Sequence, residues 1–461
     1  MSALSDRIRG IVAPGTPGPA GAGIFHTDPA PLPPPPDLPG LSGTLGGEWR
    51  AGCFVVERRW EPSARHGREA IGTLAQRFEE AAGDAVLYAG GAPACAPFVF
   101  FDLETTGLSG GAGTQAFLVG CGWFEAGGSF VTRQFLLTKY ADERALLETV
   151  AAEMARAGAL VSFNGKSFDA PLLETRYLFH RLVWNGRQLP HLDVLHPARR
   201  FWKRGGSTDL ARTDDARAFQ LSLAGNLGSF GDSSERHSRQ AGGGSSCSLT
   251  ALERDIVGAR RTGDIPGFEI PARYFQFVRS GDARPLVAVL EHNRLDLLAL
   301  AALTTRLLHL TRSGPDAARD AREALGLGHV YARGACEERA RTAFRSAIER
   351  CRSPRTAYDP IRIEALRSLA LVLRRARCYE EAASTWGELL AIRGCPPLLE
   401  REATAALAIH HEHRRRDLTS AKAFALRHLE VVQQPIWRDA AQHRLARLER
   451  KMTLQSLKFE V

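Results

Sequence analysis

The sequence has 461 residues, which is too long for one ordinary hydrophobic core and favours at least two folded units. It is 44% hydrophobic and 24% charged, and no apolar run approaches the roughly 20 residues needed to cross a bilayer, so a membrane-spanning protein is excluded and a soluble one is predicted. The net charge of +9 suits a polyanionic partner, but many basic proteins bind no nucleic acid, so charge alone is weak support.

Two features bear on the compartment. The first residues lack the apolar segment of a secretory signal, so we expect a cytoplasmic location. The eight cysteines are scattered without a CxxC pair, which argues against a zinc site or an iron–sulfur cluster. We therefore expect reduced cysteines that are mostly buried as small apolar residues.

The N-terminal residues 1–45 are rich in Pro, Gly and Ala and cannot bury enough apolar surface to offset the entropy of ordering. We predict that they form a disordered arm. From residue 46 the pattern is typical of a strand at 53–57, followed by a basic, helix-compatible stretch at 67–82. We interpret these as a small entry element packed on the main domain.

The main domain begins with a continuous apolar strand predicted at 97–103, of the kind buried on both faces of a sheet. Strand-like runs at 115–124 and 129–137 then predict an antiparallel meander. The elements predicted next are a helix at 142–157, a strand at 159–163 and a helix at 170–181.

The second half of the chain is predicted to be mostly helical. Residues 205–246 are rich in Gly, Ser and charge and predict a mobile loop insertion, and a long apolar-periodic helix is predicted at 284–310. Residues 317–461 carry an approximate internal repeat of about 40 residues. This pattern resembles tetratricopeptide-like helical hairpins, which stack to bury what each cannot bury alone, and it predicts an all-α helical-repeat domain.

Two carboxylates end the strand predicted at 97–103. Residues two apart in a strand face the same side, so Asp102 and Glu104 point together over the sheet. Converging carboxylates on an apolar strand are costly unless a cation neutralises them. The alternative is a strand end that emerges into solvent, where acids are common.

Two further acidic positions lie later in the chain. Asp169 follows a strand end and begins a helix, a position that suits a helix cap as well as a metal ligand. His292 and Asp296 are four residues apart and share one face of a Leu-rich helix, where they are costly to bury without a role. The alternative is a solvated His–Asp pair. Asp193, another acid after an apolar position, ranks below these.

Together these motifs resemble the DEDD superfamily of exonucleases, which is DnaQ-like in the broad sense, and most closely the YprB-type branch of RNase H-like proteins, over residues 46–310. The resemblance implies an α/β fold, with an RNase H-like mixed sheet flanked by helices. It also implies a 3′-to-5′ exonuclease that acts on single-stranded DNA or RNA. Two Mg²⁺ or Mn²⁺ ions would be bound by four carboxylates, Asp102, Glu104, Asp169 and Asp296.

His292 is the candidate general base, because the ordinary pKa of histidine lies near neutrality. Family members place a His five residues before the last Asp or a Tyr four residues before it, so His292 combines the residue of one pattern with the spacing of the other. The resemblance implies that several residues contact the substrate: Thr105, Thr106, Leu108, Asn164, Lys166 and Phe168.

Other functions stay open on the sequence alone. The mixed basic and aromatic stretch 199–204 is typical of single-strand binding, with an amphipathic helix end as the alternative. The alternative to an exonuclease is a nucleic-acid-binding domain without catalytic activity. A third hypothesis makes the C-terminal repeats the functional part, binding a protein partner while the front domain anchors them.

Overall fold

A mixed seven-stranded sheet forms the centre of the computed structural model, which describes residues 40–107, 113–203, 247–432 and 435–457. Its strands are β1 (Glu48–Arg50), β2 (Cys53–Trp60), β5 (Phe98–Thr105), β6 (Ala116–Phe124), β7 (Phe130–Leu136), β8 (Ala159–Ser162) and β9 (His191–Asp193). Strands β3 (Arg65–His66) and β4 (Glu69–Ala70) form a separate hairpin. The order across the sheet is β1-β2-β7-β6-β5-β8-β9.

Strand β5 lies where the antiparallel and parallel parts of the sheet meet. It pairs antiparallel with β6, which pairs antiparallel with β7, so the predicted meander is confirmed. Its other edge pairs parallel with β8, but only over 98–100. The acidic end of β5 therefore extends past its paired segment with β8.

Helices cover the sheet and make up the rest of the described chain. Those of the front half are α1 (Leu41–Leu45), α2 (Ile71–Ala81), α3 (Glu143–Met154), α4 (Asp169–Phe179), α5 (Leu195–Trp202), α6 (Leu249–Leu252), α7 (Ile270–Ser280) and α8 (Arg284–Ser313). Those that follow are α9 (Ala321–Arg333), α10 (Glu337–Arg350), α11 (Pro360–Arg375), α12 (Tyr379–Leu390), α13 (Pro397–His410), α14 (Leu418–Val431) and α15 (Pro435–Leu457).

The long helix α8 packs directly on β5 and β6 and positions the acidic motif of its first half. The approach is close at Gly120 of β6, where an added Cβ would lie 2.1 Å from Asn293 Oδ1 and 2.9 Å from Leu297 Cδ1. A residue with a side chain at this position would push the helix away from the strand. The absence of a side chain at Gly120 thus sets how near α8 comes to β5.

Several elements differ from their predicted form. Of the predicted arm 1–45, residues 1–39 lie outside the described residues. The end of the arm forms helix α1 and is therefore ordered. Leu41 and Leu45, four apart, share one buried helix face, which stabilises this short segment. Strand β2, predicted as part of an entry element, pairs with β7 along its length and belongs to the sheet itself. Strand β9 was not predicted, and the insertion 205–246 lies outside the described residues.

The helices from α9 onward follow one another as hairpins, and the tetratricopeptide likeness stays a prediction. The turns of the first two hairpins are alike: Ala335 and Arg377 both have positive φ, at 55° and 63°, and each precedes a cysteine. The amides of Cys336 and Cys378 then donate to the preceding helix in the same pattern, to Tyr331 and Leu373. This equivalence agrees with an internal repeat.

The first hairpin shares its core with the front half. Trp202 of α5 is buried, and its indole nitrogen donates to Glu323 of α9 at 2.9 Å. Phe201 packs 3.1 Å from the position that a Cβ on Gly326 would take. The aromatic residues of the basic stretch 199–204 are therefore buried against α9, as an amphipathic helix end would be, and do not offer faces for base stacking.

Within the described ranges, no helix is both long and apolar enough to span a membrane. All eight cysteines fall in the described part of the chain, and all are free thiols. Only Cys53 and Cys121 are buried, and five of the others are partly so, so the prediction that most of the cysteines are buried is wrong. The prediction of reduced cysteines agrees with this arrangement.

Candidate functional site

Four carboxylates face one another at the acidic end of β5. Asp102 and Glu104 continue the side of the strand that α8 covers, Asp169 begins α4, and Asp296 lies on α8. Burial, followed by the charges of Asp296, Glu104 and Asp169, raises the pKa of Asp102 well above its ordinary value. Burial, with the charges of Asp296 and Asp169, does the same for Glu104. The residues of all three sequence motifs are thus close enough to repel one another.

A buried amide on α8 fixes the orientation of Asp102. Asn293 is fully buried, and its Nδ2 donates to Asp102 Oδ2 at 2.9 Å. Gln134 of β7 donates in turn to Asn293 Oδ1 at 3.0 Å and to the carbonyl oxygen of Leu290 at 2.8 Å. The chain from Gln134 through Asn293 to Asp102 was not found from sequence, although Asn293 lies three residues before Asp296 and so shares its helix face.

Asp193 organises the loop that precedes Asp169. Its carboxylate accepts hydrogen bonds from the backbone amides of Asn164 at 2.7 Å, Lys166 at 3.1 Å and Leu195 at 3.1 Å. This holds Asn164 at a positive φ of 69°. Burial, followed by the charge of Asp193, raises the pKa of Asp169 to about 7. Asp193 therefore acts on the loop backbone.

His292 is held between two carboxylates. Its Nδ1 lies 2.7 Å from Asp264 Oδ1, and its Nε2 lies 3.5 Å from Asp296 Oδ2. Burial would raise the pKa of Asp264, but the hydrogen bond and charge of His292 and the charge of Arg261 keep it below its ordinary value. Glu291 lies on another side of the helix and pairs with Arg294.

Arg261 brings a positive charge into this centre. Its Nη2 lies 2.6 Å from Asp296 Oδ1, and its Nη1 lies 3.1 Å from Asp264 Oδ2. No sequence signal pointed to Arg261 or Asp264, because both lie in an irregular segment far from the acidic motifs along the chain. Only the packing of that segment against α8 brings them together.

The predicted substrate residues are placed in different ways. Lys166 and Phe168 are exposed beside Asp169, and Phe168 is 57% exposed. The hydroxyl of Thr105 donates to the carbonyl oxygen of Gly107, and that of Thr106 accepts from the amide of Gln115. Both threonine hydroxyls are thus engaged in their own loop. Leu108 lies outside the described residues, and Asn164 contributes its backbone amide to Asp193.

The donor set fits hard divalent cations in kind. All four ligand candidates are carboxylates, which Mg²⁺ and Mn²⁺ prefer. The raised pKa values of Asp102 and Glu104 mark negative charge that a cation would neutralise. In the ranges that the structure describes, however, no group of three or more His, Cys, Asp or Glu residues already has the arrangement of a metal site.

Comparison with known proteins gives two matches. The family model described as RNase_H superfamily matches residues 99–213 and 233–308, which contain all three acidic motifs. The chain is also 28% identical over 363 residues to the protein YprB of Bacillus subtilis (strain 168), which is described as uncharacterized. The match covers 76% of this chain and 74% of that relative. The predicted RNase H-like fold class is confirmed, and the match supports a function connected with nucleic acid.

Proposed function

We propose that the protein is a metal-dependent 3′-to-5′ exonuclease on single-stranded nucleic acid, starting from the match of residues 99–213 and 233–308 to the RNase_H superfamily model. The observation that carries the proposal is the convergence of Asp102, Glu104, Asp169 and Asp296 at one end of β5, where burial and mutual repulsion raise the pKa of Asp102 and Glu104. Such a cluster is unfavourable without a cation, so its presence argues for a role.

The four carboxylates would hold two Mg²⁺ or Mn²⁺ ions. Bound at these oxygens, two such cations would activate a water molecule and stabilise the leaving 3′ oxygen in phosphodiester hydrolysis. The chain itself supplies orientation. Asn293 fixes one oxygen of Asp102, and Asp193 fixes the loop that leads to Asp169. A site held by such surrounding hydrogen bonds loses less entropy when it binds its ligands.

His292 would serve as the general base. With Asp264 accepting the Nδ1 proton at 2.7 Å, the neutral ring would carry its lone pair on Nε2, the nitrogen that lies 3.5 Å from Asp296. A proton removed from water would be taken up at Nε2. Asp264 would keep the ring in this tautomer and orientation. The spacing of His292 from Asp296 along the helix does not by itself fix either.

Substrate contacts would come from the loop beside Asp169. Lys166 is exposed and suits a phosphate, and the exposed ring of Phe168 suits stacking on an unpaired base. Asn164 would hold the loop that presents them, while Thr105 and Thr106, with Leu108, would shape the opposite side at the end of β5. The net charge of +9 agrees with a phosphate-rich partner.

One observation favours a second candidate function, a nucleic-acid-binding domain without catalysis. Arg261 already neutralises Asp296 at 2.6 Å, and a permanently paired Asp296 could not serve a cation. Binding of single strands with no loss of nucleotides in Mn²⁺ would support this alternative. The presence of all four carboxylates weighs against it.

The test is degradation of end-labelled single-stranded DNA and RNA with Mn²⁺, Mg²⁺ or EDTA, using the full chain, because α9 shares a core with α5. The native protein should release 3′ nucleotides only with metal, and Asp102→Ala and Asp296→Ala should lose this activity. Glu291→Gln is the matched control, since it removes an exposed carboxylate from the same helix as Asp296. Activity that survives both alanine substitutions would overturn the proposal.

A further inference from the structure

Arg261 is the basic residue that enters the carboxylate centre, and it does so with three separate nitrogens. Nε lies 2.6 Å from Glu253 Oε2, Nη1 lies 3.1 Å from Asp264 Oδ2, and Nη2 lies 2.6 Å from Asp296 Oδ1. The side chain is only 7% exposed. Burial alone would lower the pKa of Arg261, but the charges of Asp296 and Glu253 raise it, so the guanidinium stays protonated.

Two of the three contacts, those with Glu253 and Asp264, join Arg261 to residues that are not candidate metal ligands. Glu253 is 2% exposed and begins a π-helical turn, Glu253–Val257, whose backbone oxygen at Glu253 accepts from the amide of Gly258. The imidazole of His66 lies 3.3 Å from the other carboxylate oxygen of Glu253. Because Glu253 is packed in this way, the guanidinium is directed toward Asp296 whether or not the centre holds a cation.

The contacts close into a ring. Arg261 meets Asp296, Asp296 lies 3.5 Å from His292, His292 lies 2.7 Å from Asp264, and Asp264 returns to Arg261. One oxygen of Asp296 is thereby paired with a positive charge, whereas the nearby Asp102 has one oxygen held by a neutral amide, that of Asn293. The candidate ligands therefore differ: Asp296 already has a positively charged partner.

We propose that Arg261 is a positioning residue that competes with divalent cations for Asp296 and so sets the metal concentration at which the carboxylate centre fills. The proposal rests on the proposed function, because it assumes that Asp296 is a metal ligand. A charge-assisted hydrogen bond of this kind is worth about tenfold or more in affinity. A cation that binds Asp296 must displace the hydrogen bond from Arg261. Because the guanidinium is also held by Glu253 and Asp264, it remains close enough to pair with Asp296 again when the cation dissociates.

The test measures Mn²⁺ binding to the full chain by isothermal titration, with no nucleic acid present. Arg261→Gln should bind Mn²⁺ about tenfold more tightly than the native protein, and Arg261→Lys, which keeps the charge but not the three-way contact, should fall between them. Arg260→Gln, which removes an exposed positive charge one residue away, should leave the affinity near the native value. An Arg261→Gln protein with unchanged or weaker Mn²⁺ affinity would overturn the proposal.

Two further variants separate the possible failures. Glu253→Gln combined with Arg261→Gln removes the buried pair together, so the measurement stands even if Arg261→Gln alone does not fold. In an Asp296→Asn background the effect of Arg261→Gln should disappear; an effect that persists would mean that Arg261 acts on the other carboxylates instead. Native protein that binds no Mn²⁺ would overturn the proposed function as well, whereas tight binding without an effect of Arg261 would overturn this inference alone.

Discussion

Replacing Asp169 with asparagine should stabilise the metal-free protein above pH 7, even though it removes a proposed metal ligand. Burial and the charge of Asp193 raise the pKa of Asp169 from 3.8 to about 7. An acid whose pKa is raised by folding stabilises the folded state below its ordinary pKa, and this contribution is lost as the pH rises to the folded value. The native protein should therefore lose stability between about pH 4 and pH 7, and Asp169→Asn should lose less, because it lacks the contribution of this one carboxyl group.

The size of the effect follows from the same pKa. A rise from 3.8 to about 7 corresponds to at most about 4 kcal/mol of unfolding free energy at pH 8. Two effects reduce it. Neighbouring carboxylates share the protons, and Asp169 gains roughly 0.3 to 1 kcal/mol from its place in the first turn of α4. We expect Asp169→Asn to be more stable than the native protein by about 1 to 3 kcal/mol at pH 8.

The assay is urea unfolding in EDTA at pH 5 and pH 8, with the difference between variant and native protein compared across the two. Asp359→Asn, at the start of α11, is a control of opposite sign. Burial would raise the pKa of Asp359, but hydrogen bonds from Ser353 and the backbone lower it, so its loss should not stabilise the protein at pH 8. An Asp169→Asn protein that is less stable than the native chain at pH 8, by an amount independent of pH, would refute the reasoning.

Three further predictions concern residues around the centre and in the C-terminal helices. Asn293→Ala should lower Mn²⁺ affinity about 10- to 100-fold in titration calorimetry, because Asp102 loses its orienting donor; native affinity would contradict this. Asp193→Asn should lower the urea midpoint by the equivalent of about 1 to 3 kcal/mol, because its carboxylate accepts three backbone amides; an unchanged midpoint would count against that role. Glu412→Gln should destabilise the protein by about 1 to 2 kcal/mol at pH 7. This is less than the loss of a fully buried ion pair would cost, because the partners of Glu412 are partly exposed. In thermal unfolding, the difference between variant and native protein should vanish as the pH falls toward 2. Burial would raise the pKa of Glu412, but Arg447 and nearby charges lower it to about 2, so its stabilising effect is present above its ordinary pKa and lost toward pH 2; a difference that persists at pH 2 would rule this out.

The elements with strong periodicity were predictable from the sequence. Strand β5 is apolar on both faces, and α8 repeats leucines at helical spacing, so their existence and type follow from local pattern. Strand β9 was missed because three residues give no period to detect. Helix α1 was missed because two leucines in a Pro- and Gly-rich segment become informative only when the sheet provides a surface to bury them.

The candidate site was predictable in its acids but not in their partners. Asp102 and Glu104 share a strand face by the period of two, and His292 shares a helix face with Asp296, so these groupings follow from spacing alone. Arg261 and Asp264 occupy irregular backbone, where position along the chain says nothing about direction in space. The hydrogen bonds and charges that set the pKa values and orientations of the site residues come from contacts between segments far apart in the chain. Local sequence patterns do not predict such contacts.

The most direct test of the central claim compares two single strands that carry the same 5′ label, one with a free 3′ hydroxyl and one with its 3′ hydroxyl blocked by a 3′-phosphate. With Mn²⁺, we predict stepwise shortening of the free strand from its 3′ end and protection of the blocked strand, and neither strand should be shortened in EDTA. Equal internal cleavage of the two strands, or no cleavage of either in Mn²⁺, would contradict the account.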